Sequence, residues 1–125
     1  MELSTSRIGD LPVLEIRGEI DHGNASKVSA AVDRLSTPDG RIVLLDLTEV
    51  AYMDSGGISV LLSHLRRLRG RGWLGVIGPN QNVRRLFEIV GLPLDESFRV
   101  FSDRAEADRA LRQTPDSTVA QDVKS

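Results

Sequence analysis

Between Arg41 and Leu47 the chain reads Arg-Ile-Val-Leu-Leu-Asp-Leu, apolar at almost every position. A strand with one face in water alternates apolar and polar residues, whereas a continuous apolar run requires cover on both faces. The stretch therefore predicts a strand in the middle of a sheet. The 125 residues suit one compact domain with a single core and are too few for two ordinary ones.

Periodicity on either side of that strand predicts the rest. Residues 2–8 are weak strand material, followed by the turn Gly9-Asp10 and a second run, Leu11 to Ile20. In that run Leu14, Ile16 and Ile20 fall on one face and Glu15, Arg17 and Glu19 on the other, the pattern of a half-buried strand in a hairpin. Asp21-His22-Gly23-Asn24 breaks the alternation. Asn24 is placed to cap a helix whose apolar positions are Ala25, Val28, Val32 and Leu35, with a stop near Thr37-Pro38-Asp39-Gly40. After the central strand and Thr48-Glu49-Val50-Ala51, a second helix carries the stripe Ile58, Leu61, Leu62, Leu65 and Leu68 and ends at Gly70 and Gly72.

Trp73 to Ile77 predicts a short buried strand closed by Gly78-Pro79-Asn80. A third helix follows, with Val83, Leu86, Phe87 and Val90 inward and Gly91 and Pro93 as its stop. Phe98 to Phe101 reads as an edge strand. Ser102 or Asp103 with Glu106 offers a capping box for a fourth helix reaching about Arg112. Strands alternating with helices after an opening hairpin imply an α/β domain over residues 1–113: a mixed, mostly parallel sheet of about five strands with about four helices and an antiparallel edge. Residues 114–125 are polar and aperiodic, which predicts a disordered tail.

Composition narrows the function classes. A net charge of −2 supplies no overall basic field for nucleic acid, and the chain has no cysteine for disulfides, thiolate metal sites or a thiol nucleophile. The first residues lack a signal-peptide pattern, and no apolar run approaches the roughly 20 residues of a membrane helix. A soluble, cytoplasmic protein without membrane insertion is expected.

The most informative stretch is Tyr52-Met53-Asp54-Ser55-Gly56-Gly57-Ile58, where a strand pattern gives way to a helix pattern. The first amides of a helix have no partners within it and carry partial positive charge, so an acceptor or anion at Ser55 is stabilised. Asp54 and Ser55 are both good caps. Two glycines after them leave the hydroxyl open to a large partner, and residue physics alone leaves capping and function both open.

Asp54-Ser55-Gly56-Gly57 is also similar to the block around the nucleophile of chymotrypsin-like serine proteases, but those need two β-barrels and about twice this length. The hydrolase elbow needs glycine where Met53 stands. Of the two possible bases, His64 falls next to the polar side of its helix and His22 in a polar loop; neither is paired with Ser55 by sequence, and no spacing suggests a metal site. Gly70, Gly72, Gly75 and Gly78 fit no phosphate-binding fingerprint. Arg66, Arg67, Arg69 and Arg71 suit a helix end, where they complement the dipole, and could also meet an acidic partner.

Asp46-Leu47-Thr48 through Val50, then Tyr52 to Ile58 and Val60-Leu61-Leu62, resemble the central block of the STAS domain family, and closely that of the bacterial anti-sigma factor antagonists. Gly18-Glu19-Ile20-Asp21 is similar to the family's Gly-Glu-Leu-Asp, and Val83-Arg84-Arg85-Leu86-Phe87 with Gly91-Leu92 to its third helix. The resemblance spans roughly residues 3 to 112. It implies a non-enzymatic switch protein without cofactor or metal. The unphosphorylated form would bind an anti-sigma factor that is also a serine kinase and so free a sigma factor; phosphorylation would abolish binding, and a metal-dependent serine phosphatase would restore it. By position the phosphoacceptor is Ser55, with Asp21, His22, Asp54, Gly56 and Gly57 beside it in the partner surface. Gly56 departs from the Ser or Thr that many members carry there. A constitutive scaffold, such as an accessory subunit of a lipid-transport complex in which Ser55 only caps its helix, is the alternative.

Overall fold

The structure, a computed structural model, describes residues 1–35 and 40–113. Five strands, β1 (Glu2–Ile8), β2 (Leu11–Ile20), β3 (Ile42–Met53), β4 (Trp73–Ile77) and β5 (Phe98–Phe101), form one sheet in chain order. The β1–β2 hairpin is antiparallel and the remaining pairs are parallel. Three crossover helices, α1 (Ala25–Arg34), α2 (Ser55–Leu68) and α3 (Gln81–Ile89), join successive parallel strands. Crossovers that step in one direction with the same hand place all their helices on one face. α4 (residues 104–113) then covers the other. The expected helix stop at Thr37-Pro38-Asp39 and the tail at 114–125 lie outside the described residues.

β3 is the middle strand and is buried on both sides, as its apolar run requires. Leu45 and Leu47 join Val28, Leu61, Leu65 and Phe87 under the three crossover helices, while Leu44 joins Val13, Trp73, Ile77, Phe101 and Ala107 on the α4 side. The buried Val13 shows that the first half of β2 is covered on both faces, so the half-buried reading holds only for the rest of that strand.

Four local expectations are corrected. The central strand does not stop at Leu47 but runs to Met53, because β2 continues beside it: Gly18 pairs with Val50, Glu19 with Tyr52 and Ile20 with Met53. Asn24 occupies the N-cap position without capping; its Oδ1 accepts from the Asp21 amide (3.0 Å) and its Nδ2 donates to the Glu19 carbonyl (2.9 Å), which ties the loop instead. Val90, expected inward, is exposed, since α3 ends at Ile89 and the chain turns away through Gly91. His64, expected near the polar side, is buried. The fourth-helix box is present in part: Asp103 Oδ1 accepts from the Glu106 amide (2.9 Å), and Glu106 Oε1 accepts from the amide of Ser102 (2.7 Å).

The last residues of β3 project beyond the end of β4, whose Ile77 pairs with Asp46. Asn80 compensates. Its Nδ2 donates to the Val50 and Ala51 carbonyls (3.2 and 3.3 Å), and its Oδ1 caps α3 at the Val83 amide (2.9 Å). A cap and a part-buried side-chain bond are each worth about 1 kcal/mol. Asn80→Ala should therefore lower stability by about 2 kcal/mol, measured by urea unfolding; a change under about 0.5 kcal/mol, the range of ordinary surface substitutions, would show that the projecting strand needs no such tie.

Candidate functional site

The projecting end of β3 delivers Asp54 and Ser55 to the head of α2. Asp54 is the N-cap: Oδ1 accepts from the Gly56 amide (2.7 Å), and its carbonyl accepts from the amides of Gly57 (3.0 Å) and Ile58 (3.2 Å). It also holds the β2–α1 loop, since its amide donates to the Ile20 carbonyl (3.1 Å) and its Oδ2 accepts from the His22 amide (3.3 Å). Capping and loop attachment thus fall to Asp54, which leaves the Ser55 side chain outside the helix's own hydrogen bonding. Ser55 is exposed, and its Oγ lies 3.0 Å from His22 Nε2.

The glycines serve a purpose other than the one expected. Both are buried. A Cβ on Gly56 would stand 2.8 Å from the His22 nitrogen and 2.9 Å from its Cα, and one on Gly57 would run into Met53 and Ile20. Their missing side chains let the head of α2 approach the loop and the strands closely; neither offers a surface of its own. Asp21 is half-buried, and its Oδ1 accepts from the Asn24 amide (3.1 Å), inside the loop.

Ser55 stands between two grooves. One, of about 480 Å³, runs between α1 and α2 and is lined by His22, Ser26, Ser29, Asp33 and Ser59 together with Val60. The other, of about 470 Å³, lies between the end of β3 and α3 and includes Tyr52, Ser55, Arg85, Leu86 and Ile89. Tyr52 is 50% and Ile89 73% exposed. The structure therefore brings together His22, Asp54 and Ser55 from the sequence-derived set, and adds Tyr52 and Ile89, which sequence reading missed. Ile89 is the first position of α3 that breaks its polar outer face, the one signal that marked it.

The His22–Ser55 contact, which sequence alone did not pair, is the geometry of a nucleophile beside a base. Among the described residues, however, no hydrogen bond reaches the other ring nitrogen, and the nearby Asp54 carboxylate is bound to backbone amides. A triad needs that third group to orient the ring. Among the described residues there is also no cluster of three or more His, Asp or Glu able to hold a metal, and no helix long and apolar enough to cross a membrane.

The other histidine is structural. His64 Nδ1 accepts from the Arg67 guanidinium (2.7 Å), which also pairs with Asp33 of α1 (2.9 Å), and Nε2 lies 3.2 Å from Ser29 Oγ. With Nδ1 accepting, the ring is neutral and Nε2–H donates to Ser29. Burial, then the Arg67 charge, push the His64 pKa below its ordinary value, while the hydrogen bond from Arg67 holds Asp33 low. A histidine whose pKa is lower folded than unfolded contributes stability that is complete above about pH 6.5, its unfolded value, and is lost as pH falls toward the folded value. Thermal stability should thus decline as pH drops from 7 to 5, with a slope of up to about 1.4 kcal/mol per pH unit. The slope should shrink in His64→Gln, and a slope that survived the substitution would place the titrating group elsewhere.

Of the arginine cluster, Arg67 pairs with Asp33, and Arg69 pairs with Asp95 (2.8 Å) before β5. Arg104, which periodicity did not single out, ties α4 to the sheet by bonds to Asp46 (3.0 Å), Glu15 (2.7 Å) and Ser6 (2.7 Å).

Comparison with known proteins gives a consistent picture. A family model described as "STAS domain" matches residues 2–107. The anti-sigma-B factor antagonist of Listeria monocytogenes is 41% identical over 78 residues, 62% of this chain and 68% of that protein. An anti-sigma factor antagonist from Mycobacterium paratuberculosis shares the fold with a TM-score of 0.72 at 22% identity, covering 89% of this chain and 93% of the other. SpoIIAA of Bacillus, an anti-sigma factor antagonist, has been solved unphosphorylated and phosphorylated; the two forms superpose with TM-scores of 0.61 and 0.62 at 19% and 18% identity, covering 89% and 87% of this chain and 98% and 99% of theirs.

Proposed function

The chain belongs to the STAS domain family, and from that premise we propose that it is an anti-sigma factor antagonist switched by phosphorylation of Ser55. Unphosphorylated, it binds an anti-sigma factor that is also a serine kinase and so releases a sigma factor; the kinase modifies Ser55, binding is lost, and a serine phosphatase resets it. It acts in the cytoplasm, through protein contacts and without chemistry of its own.

The observation that carries this reading is the exposed Ser55 hydroxyl, freed from capping by Asp54, at the lip of a groove whose apolar side chains face water. A contiguous exposed apolar surface beside a modifiable group suits a docking site. The relatives named above support it: they are antagonists of anti-sigma factors, and one of them exists in a phosphorylated form.

The physics fits a switch without refolding. Phosphoserine adds about −1.5 to −2 charges. In the free domain these remain hydrated, whereas in a docked complex they must be desolvated beside the Asp54 carboxylate. Incubation with candidate anti-sigma kinases and ATP, followed by intact mass and site mapping, should show one phosphate at Ser55. A protein that no cognate kinase modifies there, yet that stays bound to its partner, would be the constitutive scaffold instead.

A further inference from the structure

We propose that His22 is the residue that holds the phosphate once Ser55 carries it, an inference that rests on Ser55 being the phosphoacceptor. A phosphate at a helix head ordinarily takes its donors from the first turn of amides. Here the amides that follow the serine are taken: Gly56 N–H by Asp54 Oδ1, and Gly57 N–H and Ile58 N–H by the Asp54 carbonyl. On the loop side the charged groups are of the wrong sign: Asp54 at the head of α2, Asp21 beside His22 in the loop, and Asp33 on α1 across the shared groove are all acidic. On the other side Arg85 of α3 lines the second groove with Ser55. The imidazole is the side chain in direct contact with the hydroxyl, with Nε2 3.0 Å from Oγ.

The ring is also held there. The His22 amide is fixed to Asp54 Oδ2 (3.3 Å), and Gly56, without a side chain, lets the loop rest against the head of α2. Before modification Nε2 and the serine hydroxyl share a hydrogen bond. Phosphoryl transfer from ATP forms the Oγ–P bond, breaks the bond from the γ-phosphorus to the bridging oxygen of ADP, and releases the serine proton. In its charged form the ring then donates Nε2–H to a phosphate oxygen and offsets the acidic surroundings. His22 thus acts through the phosphate, as a positioning residue.

The test uses the full chain with phosphoserine placed at position 55 during translation, so that no kinase is needed. A neighbouring cation favours the phosphate dianion, so by ³¹P NMR the second ionisation should have a midpoint about half to one pH unit lower with His22 than in His22→Gln, for an exposed pair at this separation. The Gln variant can still donate a hydrogen bond but has no charge, so the difference reports the charge and not the fold. In the unsubstituted protein the ¹⁵N signals of the His22 ring should move toward their imidazolium positions when position 55 is phosphorylated. Equal midpoints, or ring signals indifferent to the phosphate, would overturn the role of His22 and leave the switch standing. Equal affinity of the two forms for the anti-sigma factor would remove the switch and leave the His22–phosphate contact measurable.

Discussion

Phosphorylated protein should bind its anti-sigma factor at least about thirtyfold more weakly than unphosphorylated protein, and Ser55→Asp should lose part of that affinity. An unpaired charge trapped in an interface costs about 2–5 kcal/mol, and each 1.4 kcal/mol is a factor of ten. Asp carries about one charge where phosphoserine carries nearly two, so its effect should be the smaller. Ser55→Ala should bind constitutively and fold normally, because Asp54 does the capping and the one side-chain bond lost, to an exposed His22, contributes about 1 kcal/mol at most. Titration calorimetry of the four forms against one anti-sigma factor decides it: indistinguishable affinities for the phosphorylated and unmodified proteins would refute the switch. An Ala variant that failed to bind would instead make the hydroxyl itself a contact.

The element order, the opening hairpin and the central place of β3 were legible in the sequence because Leu45 and Leu47 in β3, Leu61 and Leu65 in α2, and Leu74 and Val76 in β4 recur at the spacings of the two periodicities. His64 was misplaced although its position carried the information: it is three residues from Leu61 and four from Leu68, both buried. Polarity outweighed spacing in that reading, and the compensation that lets a histidine sit there comes from Ser29, which is remote in sequence. The same limit applies to Asn80 and Arg104, whose partners on β1, β2 and β3 are remote in sequence; periodicity within one element does not specify those.

At the site, the sequence marked Ser55 and Asp54 but gave no means of choosing which of two good caps performs the capping. That choice is made by the approach of the β2–α1 loop, whose His22 amide engages Asp54 Oδ2 while the His22 ring engages Ser55 Oγ. The loop comes close because position 56 has no Cβ. What looked like an open platform for a partner is a packing requirement.

Gly56→Ala should therefore be destabilising although it places the best helix former near the start of a helix. Alanine in place of glycine favours a helix interior by about 1 kcal/mol, and less in the first turn, where fewer neighbours are fixed. Against this, the new Cβ would sit 2.8 Å from the His22 nitrogen and 2.9 Å from its Cα, backbone atoms that cannot rotate away. Overpacking of this kind costs about 1–3 kcal/mol. The loop must lift, which breaks the Asp54–His22 amide bond and withdraws the ring from Ser55, at about a further 1 kcal/mol. The steric and hydrogen-bond losses outweigh the propensity gain, for a net loss of about 2 kcal/mol and a melting temperature lower by about 8 °C in a domain of this size. Ser59→Ala, exposed on the same helix, should shift the melting temperature little. If Gly56→Ala melted at or above the unsubstituted protein, the loop would not be seated on the helix head, and the placement of the imidazole beside the serine would lose its physical basis.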